Sequence, residues 1–201
     1  MEKTHTSIEH LLGRKKPGDL VFAADFRGKG TDAAIRKTLS RLVSKGTLKR
    51  AAQGVYYIPE IDPVLGELHP GAEDIAQKIA EKEKVRIRPT GAYALNKLGL
   101  STQVPMKIVY LTDGVPRTLK VGKATIKFIA TTTKRLSTKG QLSGLIILAL
   151  EELNLKHIDQ QEEKRILDLL SKENPKHLQH DLKLAPARIH DYIVKLLKKS
   201  A

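Results

Sequence analysis

Cationic and hydroxyl side chains recur along one face of a helix predicted for residues 31–44. In the sequence TDAAIRKTLSRLVS, Ile35, Leu39 and Leu42 have the spacing of an apolar helix stripe that faces a core. The opposite face carries side chains of the kind that reach phosphates and base edges. Together with the capping threonine they are the candidate DNA-binding residues of this helix: Thr31, Arg36, Lys37, Ser40, Arg41 and Ser44.

The ends of this helix and a following β-hairpin can also be predicted. Thr31 can cap the helix start, and Gly46 supplies the left-handed residue that ends it. Residues 47–51 and 55–58 then form two short strands joined at Gln53-Gly54, which predicts a hairpin. We expect three further DNA contacts at or near the hairpin tip: Lys49, Arg50 and Gln53.

Two short segments precede the cationic helix. Residues 7–12 and 21–26 are predicted as amphipathic helices, with residues 27–30 (RGKG) as a turn. Helix, turn, helix and hairpin in this order are typical of a winged helix-turn-helix, so residues 1–60 are predicted to form a DNA-binding domain of that kind. A winged helix used for protein contact is the alternative, because a fold does not fix its function.

The charge of the chain favours a polyanionic partner. The 201 residues have a formal net charge of +14 and a sequence pI near 9.9. From Lys84 to Leu150 there are 12 Lys or Arg residues and one acid, Asp113, whereas residues 61–83 have six acids and two cations. The basic segment is predicted to be a second nucleic-acid surface, with an acidic protein as the alternative partner. Its candidate residues are Arg86, Arg88, Arg117, Lys120, Lys123, Lys127, Lys134 and Arg135.

A second domain is predicted for residues 71–201, after a hinge at residues 59–70 that contains three prolines and a glycine. Apolar runs predict strands at 85–88, 106–112, 117–121 and 124–129. Helical spacing predicts helices at 72–84, 90–98, 142–153, 160–170, 175–180 and 187–199. The fold class expected is α+β: an N-terminal winged helix-turn-helix, then a mixed α/β domain with a small sheet and C-terminal helices.

Several function classes find no support in the sequence. Cysteine is absent, and no apolar run reaches the roughly 18 residues of a membrane span, so a cytoplasmic protein without a membrane partner is expected. A nuclease-like interpretation of Asp113 lacks its second carboxylate, because Thr125 stands there. His177 and His180 lack an evident third metal ligand. Residues 131–135 (TTTKR) fit either a phosphate-binding loop or an ordinary polar loop. No enzyme activity, cofactor, metal or small-molecule substrate is expected.

Several segments together resemble a known family. GDLVFAADF, LSRLVSKGTL, GVYYIP and above all TGAYALNKLGLSTQVP are similar to the antitoxins of AbiE-type abortive-infection systems, including DUF6088-like proteins. The likeness spans most of residues 10–155. It implies a winged-helix antitoxin that binds its operator as double-stranded DNA and represses its own operon. It also implies a nucleotidyltransferase-like toxin as a second partner. A transcriptional regulator without a toxin, or a protein-interaction module with a basic second domain, are the alternatives.

Overall fold

A computed structural model describes residues 2–199, which form a mixture of helices and small sheets. The expected α+β class is confirmed at this level. The chain divides into two compact units, residues up to 79 with 119–124, and residues 80–118 with those from 125 onward. The division falls inside a helix, beyond the hinge expected at 59–70. Within the described range, no helix combines the length and the apolar character needed to cross a bilayer.

The first unit begins with helices and short strands that alternate along the chain. Its sheet has the order β1-β3-β2, and both neighbouring pairs are antiparallel. Ile8, Phe26, Leu39 and Leu48 are among the buried side chains that join these elements in one core. The elements are α1 (Glu2–Leu12), β1 (Leu20–Phe22), a 3₁₀ helix (Ala23–Phe26), α2 (Asp32–Ser44), β2 (Lys49–Ala52) and β3 (Val55–Tyr57).

The local signals of α2 are all present in the structure. The Thr31 Oγ1 accepts a hydrogen bond of 3.3 Å from the Ala34 amide, which satisfies one free donor of the first turn. Ile35 and Leu39 are buried, as the stripe predicted. Gly46 has φ of +77°, a conformation that costs glycine little and side-chain-bearing residues more. The predicted bounds of this helix are therefore confirmed.

The helix predicted at residues 21–26 is wrong. Residues 20–22 form β1, which pairs with β3 in the register Val21↔Tyr56, and only residues 23–26 turn into a 3₁₀ helix. The Asp25 carboxylate accepts the Phe22 amide at 2.8 Å, which starts that turn. A short apolar segment can form either a helix or a strand. Here the strand forms because valine and phenylalanine favour strands and because the edge of β3 is available for pairing.

The segment predicted as a hinge contains a hairpin of β4 (Glu60–Asp62) and β5 (Gly66–Leu68). Its turn is held by Asp62, whose Oδ1 accepts the amides of Val64 and Leu65 at 2.8 Å each. Three large apolar side chains of this hairpin lie in solvent: Ile61, Val64 and Leu65, exposed by 77%, 91% and 77%. The apolar tip is thus presented by a defined turn.

The second unit contains most of the mixed sheet that the sequence predicted, while residues 119–124 at its β-hairpin are grouped with the first unit. Its order is β6-β7-β9-β8, with β6 antiparallel and β9 parallel to β7. Pro89 was expected to end the first strand, but it lies inside β6. The edge position of β6 explains this, since a proline lacks the amide that a central strand would use. The strands are β6 (Ile87–Thr90), β7 (Lys107–Thr112), β8 (Arg117–Val121) and β9 (Ala124–Ala130).

Helices complete the second unit, and the C-terminal ones form much of its core. Leu98 on α4, Ile146 on α6, Ile166 on α7 and Ile189 on α9 are at most 1% exposed and belong to one apolar cluster. The segment after residue 155, for which the family resemblance implied no role, is therefore structural. The division between the units falls inside α3 (Ala72–Glu83). The helices after it are α4 (Ala92–Leu98), α5 (Thr133–Leu136), α6 (Gln141–Leu150), α7 (Gln160–Leu170), α8 (Pro175–Leu182) and α9 (Ala187–Lys199).

Two carboxylates from the C-terminal part of the chain cap the start of α6. Asp181 is completely buried and accepts the amides of Lys139 and Gly140 at 2.8 and 2.9 Å, and the Ser143 hydroxyl at 2.7 Å. The Glu173 carboxylate accepts two further amides of the first turn, at 2.9 and 3.1 Å. Both negative charges lie at the positive end of the helix dipole.

The hydrogen bonds decide the ionisation of these two groups. Burial by itself raises the pKa of a carboxyl group, but bonds from His180, Ser143 and two backbone amides outweigh it and hold the pKa of Asp181 below its usual value. At Glu173 burial acts in the same direction, and amide donors again lower the pKa overall. Both groups are therefore charged at neutral pH.

Replacing Asp181 with alanine should lower the free energy of unfolding by about 3–5 kcal/mol, because buried donors lose a charged acceptor. Urea denaturation measures this decrease. Asp191→Ala is the matched control, since the Asp191 side chain is 79% exposed, and its effect should stay within about 0.5 kcal/mol. Equal effects of the two substitutions would contradict a special role for the buried carboxylate.

The same measurement has a pH dependence with a defined sign. The folded-state pKa values of Asp181 and Glu173 are depressed, so their contribution is fully present above the unfolded carboxyl pKa of about 4. It is lost as the pH falls through the folded values. The wild-type protein should therefore lose more stability on acidification than the Asp181→Ala protein does.

Candidate nucleic-acid interface

The cationic face of α2 is exposed as predicted. Its side chains differ in whether they form bonds inside the protein. The Arg36 Nε donates to the Asp32 carbonyl at 3.3 Å, and the Ser44 hydroxyl donates to the Ser40 carbonyl at 3.1 Å. The side chains of Lys37 and Arg41 form no ion pair with any residue between 2 and 199. These two cations are therefore the ones on α2 best placed to meet an external anion. The exposed members of the face are Thr31, Arg36, Lys37, Ser40, Arg41 and Ser44.

The hairpin after α2 places its cations differently from the prediction. Lys49 pairs with Tyr57 and Arg50 with Tyr56, so both lie toward the end of the hairpin away from its turn. The turn itself contains Gln53, which is exposed. The basic tip expected from the sequence is therefore wrong. Strand β2 begins at Lys49 and continues to Ala52, so both cations lie before the turn and not in it.

Lys49 is also neutralised from a neighbouring hairpin. Its Nζ lies 3.3 Å from the Glu67 carboxylate, and the Tyr57 hydroxyl donates to the other oxygen of Glu67 at 3.0 Å. The ring nitrogen of His69 lies 2.7 Å from the same hydroxyl. Burial, and then the hydrogen bond to Glu67, raise the pKa of Tyr57 to about 12. This network fixes the β4–β5 hairpin beside β2 and β3, and it gives Lys49 a partner inside the protein.

All four arginines proposed for the second basic surface form bonds inside the protein. The Arg86 amide and Nε donate to Asp113 at 2.7 and 2.8 Å, and this bonding holds the pKa of the Asp113 carboxyl below its usual value. Arg88 donates to the Thr138 carbonyl at 2.8 Å. The remaining two arginines pair with acids outside the acid-poor segment. Arg117 pairs with Glu83, and Arg135 pairs with Glu151.

Arg117 makes a second contact as well. Its guanidinium carbon lies 5.5 Å from the ring centre of Phe128, which is the geometry of a cation–π pair. Sequence reasoning missed Glu83 and Glu151 as partners because they lie outside residues 84–150. The acid-rich composition of residues 61–83 was the available signal, since those carboxylates need cations somewhere in the fold.

The lysines of the same set have no such partners. Lys120, Lys123, Lys127 and Lys134 form no ion pair within the described part of the chain. Three of them lie on the β8–β9 hairpin, on its two strands and in its turn. On β9, Lys127 alternates with the buried Ile126 and Phe128, so its side chain points to the opposite face. Among the residues of the proposed second basic surface, the unpaired positive charge thus lies on the lysines, three of which belong to this hairpin.

The structure also shows where the other segments considered from the sequence lie. Residues 133–136 form α5, not a loop, and Gly91, with φ of +65°, opens α4. His180 lies 2.8 Å from the Asp181 carboxylate, and His177 lies 3.9 Å from that of Glu173. Residues 2–199 contain no group of three or more side chains placed to hold a metal.

Comparison with known proteins identifies the family of this chain. A family model described as a family of unknown function, DUF6088, matches residues 7–178. The chain belongs to the DUF6088 family. The match begins in α1 and ends in α8, so it includes elements of both compact units. No curated protein and no solved structure matches the chain.

The free lysines of this DUF6088 protein can be replaced without breaking an ion pair of residues 2–199. The triple variant Lys120→Gln, Lys123→Gln, Lys127→Gln should unfold in urea within about 0.5 kcal/mol of the wild type. Its binding to duplex DNA should depend less on salt, with a slope smaller by about one unit for each phosphate that is no longer neutralised. Fluorescence anisotropy at several salt concentrations measures the slope.

The control for this DUF6088 variant removes the same charge elsewhere. Lys164, Lys172 and Lys176 are exposed and form no ion pair within residues 2–199. Their triple glutamine variant should retain the wild-type slope. Equal slopes for the two triple variants would show that total charge matters and that the β8–β9 hairpin does not contact DNA.

Proposed function

We propose that this DUF6088 protein is a winged-helix DNA-binding protein that acts as an antitoxin and represses its own operon. The order of elements supports the first part of the proposal. Helix, strand, short helix, helix and two strands follow one another from α1 to β3, and β1 joins the hairpin in one sheet. This is the order of a winged helix, in which α2 takes the place of the recognition helix.

The single observation that carries the proposal is the exposed cationic face of α2. In helix-turn-helix proteins the recognition helix lies in the major groove, where arginine and lysine contact guanine edges and phosphates. Lys37 and Arg41 lie one helical turn apart, are exposed and have no ion-pair partner within residues 2–199. Two unpaired cations on one helix face suit contact with a single groove.

The net charge of the chain supports a polyanionic partner independently of this helix. At +14, the protein attracts DNA from solution, and the lysines of the β8–β9 hairpin supply phosphate contacts without sequence preference. In this proposal α2 reads the operator and the hairpin lysines add affinity. The arginines of the second unit mainly maintain the fold, because each of the four has a partner inside the protein.

The antitoxin part of the proposal rests on the sequence resemblance. The segment TGAYALNKLGLSTQVP is similar to AbiE-type antitoxins, which implies an adjacent gene for a nucleotidyltransferase-like toxin. In the structure this segment forms part of β6, α4 and the loop before β7. Tyr93 packs edge-on against Tyr110 of the sheet, with ring centres 5.7 Å apart. The segment thus has a structural role, and neutralisation is assigned to the second unit as a whole.

Operator binding tests the first part of the proposal. Arg41→Ala should weaken binding to DNA from upstream of the gene by about 1–3 kcal/mol if Arg41 reads a guanine. Lys37→Ala should weaken it about equally for all sequences, because a phosphate contact carries no sequence information. Lys164→Ala, an exposed lysine on α7, is the control. Unchanged operator affinity in the Lys37→Ala, Arg41→Ala double variant would contradict the proposal.

Coexpression with the neighbouring toxin gene tests the second part. The Lys37→Ala, Arg41→Ala variant changes only exposed side chains of α2, so it should fold normally. It should fail to repress a promoter reporter and yet restore growth in the presence of the toxin. If both functions are lost while circular dichroism shows a folded protein, protection acts through DNA binding. If the wild type gives no protection, the protein is a regulator without antitoxin activity.

A further inference from the structure

A cavity of about 160 Å³ opens in the second unit. Ile147 and Leu148 of α6 form one apolar side, and Ala185 and Pro186 from the turn between α8 and α9 form another. Thr138 lies in its wall, in the segment between α5 and α6. A space of this size is comparable to the cavities of about 150 Å³ that hold a benzene molecule in other proteins.

The Thr138 hydroxyl is a buried polar group without a partner. Its Oγ1 makes no hydrogen bond within the described chain, although the Thr138 carbonyl accepts Arg88. Buried hydroxyl groups are nearly always hydrogen-bonded, because leaving one unpaired is costly. Thr138 lines the cavity, so rotation of its side chain toward that space would let this unpaired hydroxyl bond a polar atom placed there.

The helix beside it provides space for this hydroxyl. Gly144 lies inside α6, where glycine is less favourable than alanine. A Cβ atom at this position would lie 2.5 Å from the Thr138 Oγ1, closer than real contacts allow. The glycine thus keeps Thr138 in its place beside the cavity at some cost to the helix.

The charges at the cavity favour an anion. Arg135 and Glu151 both line it, but they pair with each other. Lys134 also lines it and forms no ion pair within residues 2–199, so one positive charge remains uncompensated. An apolar space with one free ammonium group and one free hydroxyl suits a small molecule with an apolar body and a single negative group.

We propose that this cavity binds a small monocarboxylate. The carboxylate accepts hydrogen bonds from the Lys134 Nζ and the Thr138 Oγ1, and a ring or branched aliphatic body lies against Ile147 and Ala185. The ligand is bound and not transformed, so the site adds to the proposed DNA-binding function and does not depend on it. The sequence indicated only one part of the site, residues 131–135, because the lining residues come from three separate segments of the chain.

Two small acids of suitable size are the probes: benzoate and 4-methylpentanoate. Nuclear magnetic resonance titration of the full-length protein should show saturable binding of at least one of them, with a dissociation constant at or below about 1 mM. Benzamide, which has the same ring without the charge, should bind at least tenfold more weakly. Absence of saturable binding for both acids would overturn the proposal.

Three variants connect the binding to this cavity. Thr138→Val keeps the shape of the side chain, so the unliganded protein should melt at the same or a higher temperature while acid affinity falls about tenfold. Lys134→Gln should also weaken binding of the acid while benzamide is unaffected. Lys139→Gln, a nearby exposed lysine that does not line the cavity, should bind as the wild type does.

Two results would contradict the assignment even if an acid binds. Wild-type affinity in both Thr138→Val and Lys134→Gln would place the acid elsewhere on the protein. A lower melting temperature of unliganded Thr138→Val would show that water already satisfies the hydroxyl, which removes the reason for a polar ligand atom. Because Lys134 is exposed, the Lys134→Gln protein is expected to fold. Its affinity for the acid therefore tests the assignment even if Thr138→Val does not fold.

Discussion

The second unit depends on one buried negative charge, the carboxylate of Asp181. It holds the amides of Lys139 and Gly140 and thereby fixes the segment that joins α5 to α6. The neighbouring Thr138 offers its carbonyl to Arg88 on β6, so the same segment also ties the sheet edge to the helices. A charge without solvent is stable here because four donors surround it. Sheet edge, helix start and cavity wall are positioned by this single arrangement.

Arginine and lysine have separate roles on the proposed second basic surface. Arginine offers several donors in a planar fork and suits fixed bonds to carboxylates and carbonyls, as Arg86, Arg88 and Arg117 show. Lysine is a flexible, strongly hydrated point charge, and on the β8–β9 hairpin it remains unpaired within residues 2–199. On this surface, the positive charge that remains available to partners is therefore that of the lysines.

Sequence patterns predicted elements whose signals are local. The bounds of α2, α7 and α9 agree with their spacing and caps, since Thr31, Asp159 and Pro186 mark the starts within a few residues. Features that depend on distant residues could not be predicted. Residues 21–22 became a strand because β3 was available, and Arg117 found Glu83 far away in sequence. The α2 face was therefore predictable, whereas the fate of each arginine was not.

The apolar tip at Ile61, Val64 and Leu65 affects how copies of the protein behave together in solution. At low ionic strength, the net charge of +14 on each copy makes the molecules repel one another and keeps them apart. Near 1 M salt the Debye length shrinks to about 3 Å, and the apolar side chains of two molecules can approach without that barrier. Colloidal stability therefore decreases with salt, in parallel with the weakening attraction to polyanions. A high-salt wash during purification therefore favours clustering of the purified protein.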